Sequence, residues 1–536
     1  MTNNETYVDG IVQALATAGI EVSPEEVALE RPQRPEHGDL SSNIALVVSA
    51  RAGRGPRGIA QDLASRLARA GLPHVVAMEV AGPGFVNFRL APSYFHEALA
   101  AVLAAGSEGY ACPQIGHGER VQVEFVSANP TGPLHVGNGW FASYGDALAR
   151  LLGRCGYVVE REYYLNDTGN QIRLLGESLL ARRAGTAPPE EGYQGAYLLE
   201  LAARYDGPED ALAAGRFASD AVVENIRATL ARLGIVYDQW YSQASIEESG
   251  QVEETIAILR DKGLVYEKDG ATWFASSEHG DNRDRVLVTS AGEKTYFAGD
   301  IAYHRDKFLV RGFDRVIDVF GADHHGQVRS LLAGVAALGV DPSRLEVQLG
   351  QLVSLVSGRM SKRSGQYVPL DELIDTVGPD STRLLALMGS INQATTIDLD
   401  AVRRQSMENP VYYVQYAHAR IASIERVAAE RGVVRSPHEP VDISLLVDPH
   451  ELELVRRLID LPGVLADAAV GRAPYKVTNW VRQLAADFHG FYHECRVLGD
   501  DVPLPLSLAR LALVEAVRIG LAIGLGVLGV SAPESM

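Results

Sequence analysis

The sequence predicts an α/β protein with a central parallel sheet, a small α/β domain ahead of it and an all-helical domain behind it. Three patterns carry this prediction. Short β-rich runs alternate with helical stretches from Arg120 to about residue 400, the signature of βαβ units. Ahead of them, an amphipathic helix and an alternating strand are separated by a Gly-Pro-Gly turn, and beyond Asp398 no strand pattern occurs. With 536 residues, 46% hydrophobic and 22% charged, the chain has material for about three domains of ordinary size. They are placed at 1–111, 118–400 and 401–536.

In the first domain Ile59, Leu63, Leu67 and Leu72 recur near helical spacing over Gly58–Leu72. Ala81-Gly-Pro-Gly84 then turns the chain into Phe85–Leu90, which alternates apolar and polar residues. Ser107–Gly118, with its glycines and Pro113, reads as a linker. In the central domain strands are expected over Val121–Val126, Val158–Tyr164, Arg315–Phe320 and Leu345–Leu355. The segments that follow them are a helix from Val136, a helix through Gln171–Arg183, a helix over Val328–Leu338 and a glycine-flanked loop. Residues 185–281 fit the alternation poorly and read as an insertion with its own helices, Asp220–Leu233 among them. The last domain reads as helices over Val402–Arg431, Ser444–Ala468, Thr478–Tyr492 and Leu506–Leu528. Its apolar run Ile519–Val530 is shorter than the roughly 20 residues that span a bilayer and is expected to be a buried helix.

Charge and cysteine usage narrow the function classes. A net charge of −19 argues against a general nucleic-acid coat, which needs many cations facing phosphates. Residues 401–536 carry only −2 and the rest −17, so the C-terminal domain is the easier place for a polyanion to dock. Cys112, Cys155 and Cys495 lie far apart with no CxxC, which supports neither a disulfide framework nor a zinc site and fits a reducing cytosol. The polar start MTNNETYVDG lacks the features of a signal peptide, and no secretion is expected.

Two segments carry chemistry. In Val123–Asn138 (VEFVSANPTGPLHVGN) a strand ends near Ser127, a Pro/Gly loop turns the chain, and His135, Gly137 and Asn138 fall at the first turn of a helix. Free amides and the dipole of a helix N-terminus attract phosphate, and the two polar side chains can add hydrogen bonds. An ordinary capped βα turn is the alternative, and this segment contains neither a GxGxxG nor a GxxxxGK[ST] motif to compete. The second segment, Ser357–Gly365 (SGRMSKRSG), places Arg359, Lys362 and Arg363 in a stretch whose sole acid between Leu345 and Asp371 is Glu346. Its glycines fit a loop that moves, and a solvated turn is the alternative.

Together, HVGN and RMSKR resemble the HIGH and KMSKS signatures of class I aminoacyl-tRNA synthetases, in the right order and separated by a βαβ-type domain. The stretches EYYLNDTGNQI, TYFAGDIAYHRDKF, VIDVFGADHHG and NPVYYVQYAHARI, with PEHGDLSSNIAL and VAGPGFVNF near the N-terminus, narrow the resemblance to the arginyl-tRNA synthetases over nearly the whole chain. The resemblance implies a Rossmann-like catalytic domain, an N-terminal domain that contacts the tRNA elbow, and a helical domain that reads the anticodon. It assigns catalysis to His135, Asn138, Arg359 and Lys362, and ATP binding to His135, Gly137, Asn138, Met360 and Lys362. It places Glu124, Asn129, Tyr296 and Asp300 against the substrate arginine, and Asp323 against its amino group or the ribose. A guanidinium is a planar fork of donors that is always charged, and the carboxylates Glu124 and Asp300 suit it. Two positions depart from the signatures. Asn138 replaces the second histidine and keeps an N–H donor, while Arg359 replaces the first lysine and keeps the charge.

The implied reaction joins ATP and L-arginine into arginyl-adenylate with release of pyrophosphate, then transfers the arginyl group to tRNA(Arg) with release of AMP. Mg²⁺ is expected to accompany ATP, with no protein-bound resident metal. A cytoplasmic monomer without a membrane partner is expected. Tyr412, Tyr413, Tyr416 and His418 could stack on unpaired anticodon bases or belong to the helical core. Two other functions remain open at this point: a paralogue that delivers arginyl-adenylate to another acceptor, and a tRNA-binding regulator without catalysis.

Overall fold

The computed structural model describes residues 3–32, 34–351, 353–355, 368–397, 409–435 and 441–536. They form two compact units. The first comprises Met1–Gly106, Val427–Ile459 and Gly490–Ala516, and the second Ser107–Arg426, Asp460–His489 and Val517–Met536.

In the first unit β1 (Leu40–Ser42), β2 (Val75–Ala81) and β3 (Phe85–Leu90) form an antiparallel sheet in the order β1-β3-β2. The turn between β2 and β3 requires glycine, because Gly84 has a φ of +154° and a Cβ there would sit 2.9 Å from the Pro56 carbonyl carbon. The expected amphipathic helix spans Pro56–Ala70, starts on a proline and buries Ile59, Leu63 and Leu67. Leu72 falls just beyond it. Segments distant in sequence are joined by ion pairs: Arg31 to Glu453 at 2.6 Å, and Arg456 to Asp39 at 2.9 Å. Asp448, His450 and Cys495 bring possible ligand atoms within 4.8 Å of one another. Asp448 serves there as a helix cap, with Oδ1 accepting from the His450 backbone N–H at 2.9 Å.

Along the second unit run β4 (Arg120–Phe125), β5 (Val158–Leu165), β6 (Gln239–Ser242), β7 (Val265–Lys268), β8 (Ala271–Phe274), β9 (Arg285–Val288), β10 (Arg315–Gly321), β11 (Leu345–Gly350), β12 (Val353–Leu355) and β13 (Thr395–Ile397). Five of them form a parallel sheet in the order β11-β10-β4-β5-β6. Two features differ from the sequence expectation. The strand expected over Leu345–Leu355 stops at Gly350 and resumes as β12, which pairs with β13 in a separate two-stranded sheet. At that break a Cβ on Gly350 would lie 1.9 Å from the Phe141 ring, so a neighbouring side chain fills the space. The stretch 185–281 also contributes β6, the edge strand of the parallel sheet, as well as helices and the strands β7 and β8, which β9 joins from just beyond it. β6 is four residues long and half polar, too short for an alternation to stand out.

Two helices of this unit, Asn170–Arg183 and Ala211–Arg232, cross on glycine. A Cβ on Gly176 would lie 1.7 Å from the Ala211 carbonyl oxygen, and one on Gly215 2.0 Å from that of Ile172. The helices found beyond residue 408 are Pro410–Glu430, Pro449–Val470, Tyr475–Glu494 and Leu504–Leu528; the expected start over 402–408 lies outside the described residues. Leu504–Leu528 is long and apolar enough to cross a membrane, yet 72% of its most apolar stretch is buried inside the protein.

Candidate active site

Parallel register sets Asp318 on β10, Glu124 on β4 and Glu162 on β5 side by side. All three carboxylates are buried. Neighbouring like charges repel, so cations must lie against the row. They come from one segment, where the helix Tyr296–Arg305 continues into a π-type turn, Asp306–Val310. The fully buried Lys307 donates to Glu124 Oε2 at 2.6 Å and to Asp318 Oδ1 at 2.9 Å. Arg311 pairs with Glu162, which also accepts from the Tyr303 hydroxyl. His304 places Nδ1 2.8 Å from the Asp300 carbonyl and Nε2 2.9 Å from Asp318 Oδ2. Both ring nitrogens thus face oxygen atoms, which fixes the ring between its own helix and β10.

Burial raises Glu124 above the ordinary carboxylate range against the pull of Lys307. Burial would raise Asp318 too, yet Lys307 and His304 hold it down at about 2. For Lys307 the loss of solvation is outweighed by Asp318 and Glu124, which keep it above its usual value.

At the open end of the row the chain turns sharply. Val126 and Ser127 have φ values of 71° and 39°, which is strained for non-glycine residues. Ser127 Oγ donates to Glu124 Oε1 at 2.9 Å and accepts from Tyr164 N at 3.1 Å. Tyr296 opens its helix with 63% of its surface exposed, and Asp300 follows one turn later on the same face. The Tyr296 hydroxyl lies 3.7 Å from the place a Cβ on Gly169 would take. Burial pushes the Asp300 carboxyl up to about 6, with His304 opposing and Glu124 and Asp318 adding. Burial first, then the carboxylates of Asp300, Glu124, Glu247 and Asp167, drives the Tyr164 phenol far above its ordinary range.

The HVGN turn starts the helix Val136–Arg154, with His135 as N-cap. His135 N donates to Asn138 Oδ1 at 3.0 Å, and Asn138 N donates to His135 Nδ1 at 3.3 Å. This reciprocal cap orients both side chains at a helix N-terminus and puts a hydrogen on His135 Nε2. Asn138 uses its oxygen in the cap, so its amide hydrogens can serve a ligand. The same turn is tied to residues just past the second signature: Val136 N donates to Val368 O at 3.2 Å, and Leu370 N to Leu134 O at 2.8 Å. Arg359, Met360 and Lys362 themselves lie outside the described residues.

The structure thus brings His135, Gly137 and Asn138 together at one turn, and Glu124 together with Asp300 around the Lys307–His304 segment. Asn129 is exposed in the loop after β4, and Asp323 in the short turn Ala322–His324 that ends β10, with 84% of its side chain exposed. His418 is buried, its Nδ1 2.8 Å from the Pro533 carbonyl, which places it in the core; Tyr412, Tyr413 and Tyr416 are half-buried. Sequence reasoning missed Lys307, His304, Asp318 and Glu162. Asp318 had a signal, since a lone acid inside the apolar run Val-Ile-Asp-Val-Phe is rare unless paired. Lys307 had none, because Arg-Asp-Lys reads as an exposed turn.

Comparison with known proteins adds three family models: an arginyl tRNA synthetase N terminal domain at residues 5–90, a tRNA synthetases class I (R) catalytic domain at 216–422, and a DALR anticodon binding domain at 414–536. An arginine–tRNA ligase of Carboxydothermus hydrogenoformans is 46% identical over 547 residues, covering 98% of this chain and 97% of the relative. One of Moorella thermoacetica is also 46% identical, over 546 residues with the same coverage of each chain. Among solved structures, a Thermus thermophilus arginyl-tRNA synthetase aligns with 98% of this chain and 99% of its own at a TM-score of 0.80 and 24% identity, which is a likeness of fold.

Proposed function

The chain belongs to the class I arginyl-tRNA synthetases, and from that premise we propose how its residues divide the work of ligating L-arginine to tRNA(Arg). The arginine carboxylate attacks the α-phosphate of ATP in line, pyrophosphate leaves, and a hydroxyl of the terminal tRNA ribose then displaces AMP. No side-chain nucleophile takes part, so rate comes from positioning and from stabilising phosphate charge.

His135 and Asn138 take phosphate oxygens at the helix N-terminus, where Gly137 leaves room, and Lys362 with Arg359 neutralises the pyrophosphate end while Met360 packs against the nucleotide. The observation that supports this reading is the pair of backbone bonds between Leu134–Val136 and Val368–Leu370, which ties residues that follow the second signature to the HVGN turn. Asp300 and Tyr296 take the guanidinium. Glu124, already bonded by Lys307 and Ser127, lines the arginine site and fixes the turn after β4. Asn129 and Asp323 serve the polar end of the substrate and the ribose. Mg²⁺ enters as the counterion of ATP: the HVGN turn offers amide donors and an imidazole, a set suited to phosphate oxygen, and no protein ligands are assigned to the metal. The enzyme works in the cytoplasm as a monomer with no membrane partner, in keeping with three free cysteines and a buried Leu504–Leu528 helix.

Arginine-dependent exchange of pyrophosphate into ATP, run with and without tRNA(Arg), tests the assignment. Lys362→Ala is expected to slow exchange roughly 100- to 1000-fold while tRNA affinity stays within about twofold. Equal losses in both would remove Lys362 from the phosphate site.

A further inference from the structure

The acids around the arginine cleft do not all carry uncompensated charge. Glu124 and Asp318 share the buried Lys307, and Asp318 also meets His304 Nε2. Asp167 accepts from Ser242 Oγ at 2.6 Å and from Ala244 N at 3.0 Å, which spends its oxygens on the start of the helix Gln243–Glu248. Among the described residues, neither Asp300 nor Glu247 has an ion pair.

Glu247 is exposed and held in place. Its Oε1 accepts from Gln243 Nε2, one turn back on the same helix, at 2.8 Å and from Thr168 Oγ1 at 3.2 Å. Thr168 adjoins Gly169, where the Tyr296 hydroxyl lies, and Tyr296 shares a helix face with Asp300. Glu247, held by Thr168, and Asp300, one turn from Tyr296, therefore flank the place where the Tyr296 hydroxyl meets Gly169. Tyr164 senses both carboxylates.

We infer that Glu247 is a second carboxylate for the substrate guanidinium, acting with Asp300, and that Glu124 supplies no free charge to it. This rests on the placement of Asp300 and Tyr296 at the arginine side chain. A guanidinium offers five N–H donors in a plane, more than one carboxylate accepts, so a second acceptor on another edge adds both affinity and shape selection. Citrulline would turn a carbonyl toward one of the two acids, and lysine cannot reach both as a planar fork.

Exchange assays with tRNA(Arg) present, varying arginine, citrulline and ATP in turn, test this with Glu247→Gln, Glu247→Asp and Asp300→Asn. Glu247→Gln is expected to raise the arginine KM roughly 10- to 100-fold, the loss of one charged hydrogen-bond partner, and to weaken rejection of citrulline. Its KM for ATP and its kcat should stay within about threefold, and Glu247→Asp should recover part of the arginine KM. The Glu247 side chain is exposed, so its replacement leaves the fold intact, and matched thermal unfolding checks this. Unchanged arginine KM in Glu247→Gln beside a large defect in Asp300→Asn overturns the role of Glu247 and leaves the arginine site standing. Wild-type arginine kinetics in both variants would overturn the site itself, and an ATP KM that rises in step with the arginine KM would overturn the specific role.

Discussion

Lys307→Met deletes a buried cation that touches two carboxylates while keeping the length of the side-chain stem. Removing one partner of a buried pair costs about 3–5 kcal/mol. Asp318 retains His304, so the expected loss near pH 8 is about 4 kcal/mol, not a doubled value. That penalty depends on pH with a definite sign. Glu124 is already raised by burial and rises further once Lys307 is gone. A carboxylate whose folded value lies above its unfolded value is destabilising when ionised, and protonation relieves it as pH falls toward the unfolded value. Lowering the pH from 8 to 5.5 therefore recovers part of the loss as Glu124 takes up a proton. Calorimetry of the full chain should show the transition containing the parallel sheet lowered by roughly 8 °C at pH 8, and by less at pH 5.5. The double variant Glu124→Gln with Lys307→Met should regain most of the loss, because no buried charge then lacks its partner. Equal losses at both pH values, together with a double variant no more stable than the single one, would refute the charge argument.

Three further outcomes are expected. The kcat/KM for arginine should fall as pH drops through about 6, because burial holds Asp300 near that value and its protonated form cannot pair with a guanidinium; a pH profile with an acid limb near 4 would contradict it. Gly176→Ala should cost about 3 kcal/mol, the upper range for overpacking, since the new methyl would lie 1.7 Å from the backbone oxygen of Ala211, and thermal unfolding reads this directly. Asn138→His should keep exchange activity within about tenfold, since a ring N–H can replace the amide donor, whereas His135→Ala loses both the cap and the donor; a reversed order of defects would move ATP away from this turn.

The sequence disclosed what is local. Strands β4, β5 and β10, the helix over Pro56–Ala70 and the HVGN cap are encoded by short-range periodicity and by residue types at fixed offsets. The candidate phosphate turn was legible for the same reason. Glu124 and Asp300 were legible as candidate acids, but their different electrostatic states were not. The difference comes from β4–β10 register and from a π-type turn that aims Lys307 inward, both set by packing between segments about 180 residues apart. Glu247 was hidden by its neighbours, since an acid in Ile-Glu-Glu-Ser reads as one more solvated charge.

The interleaving of the two units has a consequence during synthesis. The first unit needs Val427–Ile459 and Gly490–Ala516, so its opening segment leaves the ribosome about 320 residues before the first of those pieces is made. At ~5–20 residues per second, that interval is roughly 15–65 s. The β1-β3-β2 sheet can form at once, but Arg31 and Asp39 must wait for Glu453 and Arg456. Meanwhile the second unit gathers its parallel sheet, and it still lacks Val517–Met536 when the first unit receives its last segment. The two therefore mature in alternation on the growing chain, the first closed by Gly490–Ala516 and the second by Val517–Met536.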